Sequence, residues 1–324
     1  MKNIGRLLNI SLIKKNLKYI FLFLVIFTIL YIIFPNIKFP NTKRLLSKNE
    51  GMQIFIENMG DDIYSKNPRD YAYYDLPKVD IQVDTLYSAV IVEPRKHKAL
   101  EFVLNNFLEN LDEQWTIIVI HGNQNSSFLS DIIERKLNKY KYRIQTINLN
   151  VDNLSVAQYS ELFYNDKFYD YIPTEMFLIF QTDSMIFKKN RHKIFNFMDY
   201  DYVGAPWNDL IIGNNGVGNG GLSLRRKSKM VELLKYKKIA NHKKFNNNYG
   251  NYLPEDRFFN GDYTKDNINI NLPTTEQASE FSVEGIYNEA PFGVHKPWLW
   301  LSPKELNKLK YLYPELKILI NYNT

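Results

Sequence analysis

The sequence predicts an α/β protein built on a mostly parallel sheet with helices on both faces. Segments typical of strands and helices alternate between residues 89 and 180, and this alternation is typical of parallel strands joined by crossover helices. Five apolar residues in succession, Met176 to Phe180, indicate a strand that is buried on both faces. Such a strand belongs in the middle of a sheet that has helices packed on each side.

The predicted elements follow one another in regular order. The first strand runs from Ala89 to Val92 and ends in Glu93-Pro-Arg95. The pattern then predicts a helix over 98–111, a strand over 115–120, a helix over 132–139 and strands over 142–149 and 176–180. The last of these strands stops abruptly at the polar residues Gln181, Thr182 and Asp183.

Composition limits the classes of function. The chain has 324 residues, a net charge of +6 and no cysteine, so disulfides, cysteine zinc sites and thiol nucleophiles are excluded. The lysines and arginines are scattered along the sequence, and no nucleic-acid-binding module is recognisable. We therefore expect no nucleic-acid partner, and the length suits a membrane anchor with one large domain, or two small domains.

An apolar segment near the N-terminus predicts a membrane anchor. Residues 19–34 are almost wholly apolar, follow Lys14, Lys15 and Lys18, and end at Pro35. The segment would span about 24 Å as a helix, slightly short of a hydrocarbon core of roughly 27–30 Å. No small-residue cleavage site follows it, which favours an uncleaved signal anchor; the alternative is a buried core helix.

The flanking charges give the expected orientation and domain order. A slight excess of positive charge before the apolar segment places the N-terminus in the cytosol, as in a single-pass type II protein with its domain across the membrane. The sequence thus predicts a cytosolic tail over 1–18, a transmembrane signal anchor over 19–35, a stem and lead-in over 36–84, and one domain over 85–320.

Asp183 is the first candidate for chemistry. A carboxylate directly after a buried strand lies at the carboxyl edge of the sheet, where open α/β sheets bind ligands. The alternative is that Asp183 caps a helix or opens a turn.

A glycine-rich segment, Gly216-Val-Gly-Asn-Gly-Gly221, contains the pattern G-x-G-x-x-G. It occurs late in the chain, and the strand-like sequence Leu-Ser-Leu follows it instead of a helix, so the context of a dinucleotide-binding loop is missing. The segment is either a tight loop where the backbone approaches a ligand, with Asn219 offering its amide, or an ordinary flexible loop.

Two further segments carry polar groups that suit catalysis. Glu255 and Asp256 follow Pro254 and precede aromatic residues; they either begin a helix or include a general base shielded from water. In the tail, His295 stands beside Lys296 in a loop punctuated by glycine and proline, and is the histidine best suited to be a ligand. Trp207 is either a platform for a sugar ring or part of the core.

Taken in order, these segments resemble a known family. Val-Glu-Pro-Arg, Gln-Thr-Asp-Ser, Asp-Tyr-Val-Gly-Ala-Pro-Trp, Gly-Asn-Gly-Gly-Leu-Ser-Leu-Arg, Pro-Glu-Asp and Phe-Gly-Val-His-Lys-Pro-Trp occur between Leu86 and Trp300. The ordered set is similar to a glycosyltransferase-like family of GT-A type, known largely as a domain of unknown function. The resemblance implies a Rossmann-like catalytic domain that transfers a hexosyl or related sugar from a nucleotide sugar to a carbohydrate, glycoprotein or lipid acceptor.

The resemblance also implies roles for individual residues. The nucleotide-binding residues would be Val92, Glu93, Arg95 and Lys296. The donor and acceptor pocket would contain Gln181, Trp207, Asn219, Gly220 and Gly221. The metal ligands for Mn²⁺ or Mg²⁺ would be Asp183 and His295. The general base would be Asp256, with Glu255 as second choice and Glu284 as a further candidate.

The sequence departs from the family pattern at two places. Gln181 replaces the first carboxylate of the Asp-x-Asp motif, and His295 directly precedes Lys296 instead of lying several residues before it. A catalytically inactive protein that binds glycan or nucleotide on the same fold is therefore the main alternative. A sugar nucleotidyltransferase is a weaker one, because its glycine-rich phosphate loop should follow the first strand, where Glu93-Pro-Arg95 stands.

Overall fold

The computed structural model describes residues 76–79, 81, 83–207, 217–236, 254–261 and 268–324. The predicted cytosolic tail, the membrane anchor over 19–35 and the stem as far as residue 75 lie outside these residues, and so does Gly216. Within the described ranges, no helix has the length and apolar character needed to cross a membrane.

The described residues form nine strands. They are β1 (Tyr87–Val92), β2 (Trp115–His121), β3 (Ile144–Asn148), β4 (Met176–Phe180), β5 (Ser184–Ile186), β6 (Tyr202–Gly204), β7 (Leu222–Arg226), β8 (Ser282–Val283) and β9 (Gly293–His295).

The α-helices of the same ranges surround these strands. They are α1 (Leu100–Asn110), α2 (Ser126–Asp131), α3 (Val156–Tyr164), α4 (Lys227–Tyr236), α5 (Glu255–Phe259), α6 (Thr275–Phe281), α7 (Pro303–Leu312) and α8 (Leu316–Asn323). Short 3₁₀ segments lie at Asn138–Arg143, Asp166–Tyr171, Lys188–Phe197 and Pro297–Leu299.

The larger sheet has the order β3-β2-β1-β4-β7-β6. Strands β1 to β4 are parallel to one another, while β7 runs antiparallel to both β4 and β6. Alternate side chains of β1 enter two apolar clusters, Ala89 and Ile91 on one face and Val90 and Val92 on the other. All five residues of β4 are buried. The prediction of a mostly parallel sheet covered on both faces is confirmed.

One predicted helix is wrong in position. The sequence predicts a helix over 132–139, whereas the α-helix there is α2, Ser126–Asp131, followed by a π-helical turn, Ile132–Lys136. The Leu137 N–H donates to the carbonyl of Ile132, five residues earlier, at 3.0 Å. This wider turn keeps Ile132, Ile133 and Leu137 buried although the chain leaves the α-helical path. Apolar spacing alone does not separate these geometries.

A second, smaller sheet has the order β5-β9-β8. Strand β5 follows β4 after three residues and is antiparallel to β9, with Ser184 opposite His295. Strand β8 is parallel to β9, with Val283 opposite Val294. This sheet brings the tail of the chain to the carboxyl end of β4.

Candidate functional site

The loops after β1, β2 and β3 are tied together at the carboxyl edge of the large sheet. Asn125 is buried, and its amide nitrogen donates to the carbonyls of Glu93 at 2.6 Å and Arg95 at 3.1 Å. The Asn125 amide oxygen accepts from the Gly122 N–H at 3.0 Å. At Gly122 an added Cβ would lie 2.5 Å from the carbonyl oxygen of Val151. The backbone of the predicted nucleotide-binding loop is therefore fixed by its neighbours.

Within that loop, Glu93 orients Arg95. The buried Glu93 carboxylate accepts from Nε of Arg95 at 2.8 Å and from Nη2 at 2.7 Å, while 57% of the Arg95 side chain remains exposed. The hydrogen bond to Glu93 raises the pKa of Arg95, and the charge of Asp183 contributes. Arg95 is thus a fixed cation at the edge of the site. Val92 packs into the apolar core.

Asp183 lies against two residues of the tail, His295, which the sequence predicts as its fellow metal ligand, and Lys296, which it predicts as a nucleotide-binding residue. The Lys296 N–H donates to the carbonyl of Asp183 at 2.9 Å, and His295 Nε2 lies 3.2 Å from Asp183 Oδ1. The Lys296 ammonium is 3.9 Å from Oδ2. Burial alone would raise the pKa of Asp183, but the charges of His295 and Lys296 outweigh burial and lower it well below its ordinary value. Asp183 is therefore ionised.

The imidazole of His295 has a carboxylate at each nitrogen. Asp183 faces Nε2, and Glu284 Oε1 lies 3.3 Å from Nδ1. Neither ring nitrogen has a partner in hydrogen-bond geometry, nor do Asp183 Oδ1 and Glu284 Oε2. Burial lowers the pKa of His295, but the nearby carboxylates, Asp183 foremost, raise it overall. Three neighbouring side chains, Asp183, His295 and Glu284, thus carry four buried polar atoms without hydrogen bonds.

These orphaned atoms bear on the metal that the family resemblance implies. In the described ranges, no group of three or more His, Asp or Glu side chains is placed to hold a metal ion. Asp183 Oδ1 and His295 Nε2 are nevertheless adjacent and lack other partners. Mg²⁺ in particular is usually bound by one or two carboxylates together with substrate phosphates and water. The residues fit a cation held by two protein ligands and completed by a diphosphate.

The glycine-rich loop, of which residues 217–221 are described, lies between the Asp183–His295 pair and helix α5, which begins with Glu255 and Asp256. A Cβ at Gly221 would lie 2.1 Å from His295 Nε2, and a Cβ at Gly220 would lie 2.3 Å from Glu255 Oε1. Consecutive Cα atoms are ~3.8 Å apart. The Asp183–His295 pair and the helix that carries Glu255 and Asp256 are therefore close together, because each contacts one of two adjacent glycines. Side chains at either glycine would fill the space between them.

The loop itself is held on several sides. The Tyr202 hydroxyl donates to the Gly218 carbonyl at 2.8 Å, and Asn260 Nδ2 donates to the Val217 carbonyl at 2.6 Å. Asn219 is buried, and its side-chain oxygen accepts from the Gly221 N–H at 2.7 Å. The described part of the loop is thus an ordered segment, and the amide oxygen of Asn219 supports Gly221.

Glu255 is engaged in a buried ion pair. Its carboxylate accepts from Nη1 of Arg225 at 2.6 Å and from Nη2 at 3.0 Å, and both side chains are buried. The guanidinium also lies over the rings of Phe163, at 5.0 Å, and Tyr202, at 4.9 Å. Glu255 therefore neutralises a buried cation. Arg225 was not among the predicted site residues, although it directly follows the strand-like sequence Leu222-Ser-Leu.

Asp256 has a different environment from its neighbour. Its carboxylate is partly buried and accepts from two backbone groups, the N–H of Gly220 at 3.1 Å and that of Arg257 at 2.8 Å. Burial, with the charge of Glu255, raises the pKa of Asp256 to about 7. A carboxylate with a pKa near the working pH is suited to accept a proton in catalysis.

Two pocket candidates remain, Trp207 and Gln181. The half-buried Trp207 has the guanidinium of Arg257 5.3 Å from the centre of its ring, so it contacts the residue that follows Asp256. The Gln181 backbone exchanges two hydrogen bonds with the Ser184 hydroxyl, at 3.0 and 2.8 Å. Tyr159 was not among the predicted site residues. Its buried hydroxyl lies near Gln181, and burial, followed by the charge of Glu255, raises its pKa.

One family model matches this chain. Residues 141–295 match DUF5672, described as a protein of unknown function. The site lies mostly inside that match. The matched residues include Asp183, the glycine-rich loop, Glu255, Asp256 and His295. They do not include the loop after β1 or Lys296. The matched residues make up slightly less than half of the chain, and no curated protein matches it.

Solved structures with a similar backbone path include two sugar transferases and a protein in complex with a nucleotide sugar. The apo-form glycosyltransferase GlyE of Streptococcus pneumoniae TIGR4 is 12% identical with a TM-score of 0.45, over 73% of this chain and 62% of that one. The mannosyltransferase PcManGT of Pyrobaculum calidifontis, in complex with GDP-Man and Mn²⁺, is 10% identical with a TM-score of 0.35, over 58% and 55%. S. aureus TarS 1–349, in complex with UDP-GlcNAc, is 14% identical with a TM-score of 0.32, over 45% and 47%.

The chain spans less than two thirds of the length of GlyE. At these TM-scores the likeness says nothing about the chemistry of the site, which rests on the site's own residues.

Proposed function

We propose that this protein is a glycosyltransferase of GT-A type that transfers a sugar from a nucleotide-sugar donor to a hydroxyl acceptor on a glycan, a protein or a lipid. One observation carries the proposal: the Asp183–His295 pair and the Glu255-Asp256 helix meet across Gly220 and Gly221. A cation-binding group and a carboxylate with a pKa near 7 are the two components that such a transfer needs. The ordered sequence motifs that resemble this family support the same reaction.

The first component would hold the donor. A divalent cation at Asp183 and His295 would take up the negative charge that develops on the leaving diphosphate. Arg95, oriented by Glu93, and Lys296, beside Asp183, add positive charge near the same point. The charges of these side chains suit a nucleoside diphosphate.

The second component would activate the acceptor. The acceptor hydroxyl transfers its proton to the carboxylate of Asp256 while its oxygen forms the new bond to the sugar. The bond between the sugar and the diphosphate breaks at the same carbon. A positioned base of this kind contributes on the order of 10²–10⁴ in rate. Glu255 cannot take this role without leaving Arg225 unpaired.

The test combines a donor screen with one substitution. A panel of nucleotide sugars, with and without Mn²⁺, is screened by thermal shift, and donor hydrolysis or transfer is then measured for the best ligand. A ligand at about a hundred times its Kd raises stability by about 2.7 kcal/mol. We expect Mn²⁺-dependent turnover that Asp183→Asn abolishes, while the exposed control Asp131→Asn retains it. Unchanged activity in Asp183→Asn would reject the metal assignment.

A protein that only binds glycan or nucleotide is the second candidate, because Gln181 stands where the family pattern has a carboxylate. Such a protein would show a donor-induced thermal shift and no turnover under any metal condition. The same screen therefore separates the two functions.

The membrane association is a separate proposal. The apolar residues 19–35, outside the described ranges, would anchor the chain as a single-pass type II protein. Deleting residues 1–36 should release the domain from the membrane fraction into the supernatant. A truncated protein that is insoluble and fails to fold would show that the apolar segment belongs to the domain.

A further inference from the structure

A second buried carboxylate faces His295 from the side opposite Asp183. Glu284 is 3% exposed and His295 is 1% exposed, and Glu284 Oε1 lies 3.3 Å from Nδ1 of the ring. Burying a carboxylate is costly unless it is paired. Among the described residues, His295 is the ionic partner of Glu284, and Oε2 has no hydrogen bond. The stability of the fold therefore gives no evident reason for a carboxylate at this position.

The three side chains come from neighbouring strands of the small sheet. Asp183 immediately precedes β5, His295 ends β9, and Glu284 immediately follows β8. The register places Ser184 opposite His295 and Val283 opposite Val294. The sheet thus fixes the order of the side chains, with the imidazole between the two carboxylates.

The two ring nitrogens of His295 face different groups. Nε2 faces Asp183 Oδ1 at 3.2 Å and the space beside Gly221, where an added Cβ would lie 2.1 Å away. Nδ1 faces Glu284. A histidine that binds a metal through one nitrogen commonly presents its other N–H to a carboxylate, which fixes the tautomer and the orientation of the ring.

We infer that Glu284 is a positioning residue, which holds His295 with Nδ1 towards its carboxylate so that Nε2 addresses a divalent cation shared with Asp183. This inference rests on the proposed function, because it assumes a cation at Asp183 and His295. It also removes Glu284 from the candidates for the general base, since the imidazole lies between Glu284 and Asp183.

The test measures binding of Mn²⁺ alone to the full chain, from the loss of the electron paramagnetic resonance signal of free Mn²⁺. The variants are Glu284→Ala, which leaves nothing at Nδ1, and Glu284→Gln, which keeps an oxygen acceptor there. The matched control is Glu280→Gln, a neighbouring carboxylate 46% exposed and 3.9 Å from Lys193. The melting temperature of each metal-free protein is measured in parallel.

We expect Glu284→Ala to bind Mn²⁺ about 10- to 100-fold more weakly, the usual range for outer-sphere substitutions. Glu284→Gln should recover part of this loss, and Glu280→Gln should bind like the wild type. The metal-free melting temperature of Glu284→Ala should fall, because this variant loses the buried contact between Glu284 Oε1 and His295 Nδ1. The positioning role is therefore judged from the Mn²⁺ affinity of folded protein at a temperature well below every melting temperature.

Two outcomes would overturn the inference, and they differ in what else they reject. If Glu284→Ala and Glu284→Gln both bind Mn²⁺ as tightly as the wild type, the positioning role is wrong while the metal site stands. If the wild type binds Mn²⁺ no better than Asp183→Asn, both with Mn²⁺ alone and with UDP or GDP added to complete the ligands of the cation, the cation in the proposed function fails and the positioning role fails with it. If Glu284→Ala does not fold, the decision rests on Glu284→Gln alone. A Glu284→Gln protein that binds Mn²⁺ as tightly as the wild type would overturn the positioning role of Glu284.

Discussion

Replacing Asp256 with asparagine should remove a loss of stability that the wild type suffers as the pH rises, and should strongly lower the turnover. The unfolded chain binds the proton of this carboxyl with the ordinary pKa of 3.8, whereas burial and the charge of Glu255 raise the pKa in the folded protein to about 7. Between these values the folded state holds more protons than the unfolded state, so the stability of the wild type falls as the pH rises. The Asp256→Asn variant carries no proton to lose.

The magnitude follows from the difference between the two pKa values. Each pKa unit corresponds to about 1.36 kcal/mol, which gives an upper bound of about 4 kcal/mol. Water reaching the partly buried carboxylate reduces this, and we expect roughly 2–4 kcal/mol. The asparagine amide also places an NH₂ group against one of the two N–H donors, of Gly220 or Arg257, at a cost of about 1–3 kcal/mol that does not depend on pH.

The assay is urea unfolding of both proteins at pH 4 and pH 8. Comparing the two pH values removes the constant cost, so the advantage of Asp256→Asn over the wild type should grow by roughly 2–4 kcal/mol from pH 4 to pH 8. Asp131→Asn, at an exposed pair with Arg135, is the control and should show almost no such change. Turnover of Asp256→Asn should fall by on the order of 10²–10⁴.

A stability difference that is the same at both pH values would refute the raised pKa of Asp256, because this carboxyl would then ionise as it does in the unfolded chain. A wild-type rate that stays constant below pH 7 would contradict it independently. A base with this pKa should lose about tenfold in rate for each pH unit below about 7.

Two further substitutions test the surroundings of Asp256 and of His295. Glu255→Gln leaves the buried Arg225 unpaired and should cost about 3–5 kcal/mol of stability in urea unfolding; it should also move the acid limb of the rate profile to lower pH, because the charge of Glu255 raises the pKa of Asp256. An intact stability would mean that the ion pair does not form. Gly221→Ala places a Cβ 2.1 Å from His295 Nε2, and this local overpacking should cost about 1–3 kcal/mol. The measurement is Mn²⁺ binding, which should weaken while the circular dichroism spectrum stays unchanged. Mn²⁺ affinity equal to that of the wild type would show that the imidazole does not need this space.

The strands of the larger sheet were largely visible in the sequence. The predicted strand over 176–180 coincides with β4, and those over 89–92 and 115–120 differ from β1 and β2 by two residues or fewer. A strand covered on both faces needs apolar side chains at every position. Such a strand is therefore visible in the sequence as an uninterrupted apolar run. The polar residues at the strand ends likewise identified Asp183 without any knowledge of its contacts.

The tertiary structure was needed wherever two neighbouring residues have different environments. Glu255 and Asp256 are both acidic and adjacent, so their sequence context does not distinguish them. Arg225, thirty residues earlier, pairs with one, and the backbone of Gly220 binds the other. The antiparallel pairing of β7 with β4 and β6 positions Arg225, which lies opposite Phe177 and Tyr202.

The sequence by itself thus determined the parallel sheet, the position of Asp183 at the end of a buried strand, and the set of polar residues from which a site could be built. The structure decided how they combine. The pairing of β5 with β9 joins Asp183 to His295, more than a hundred residues further along the chain, and that of β8 with β9 adds Glu284. Long-range strand pairing depends on how complementary surfaces pack in space. The local periodicity of a sequence therefore does not predict which distant strands pair.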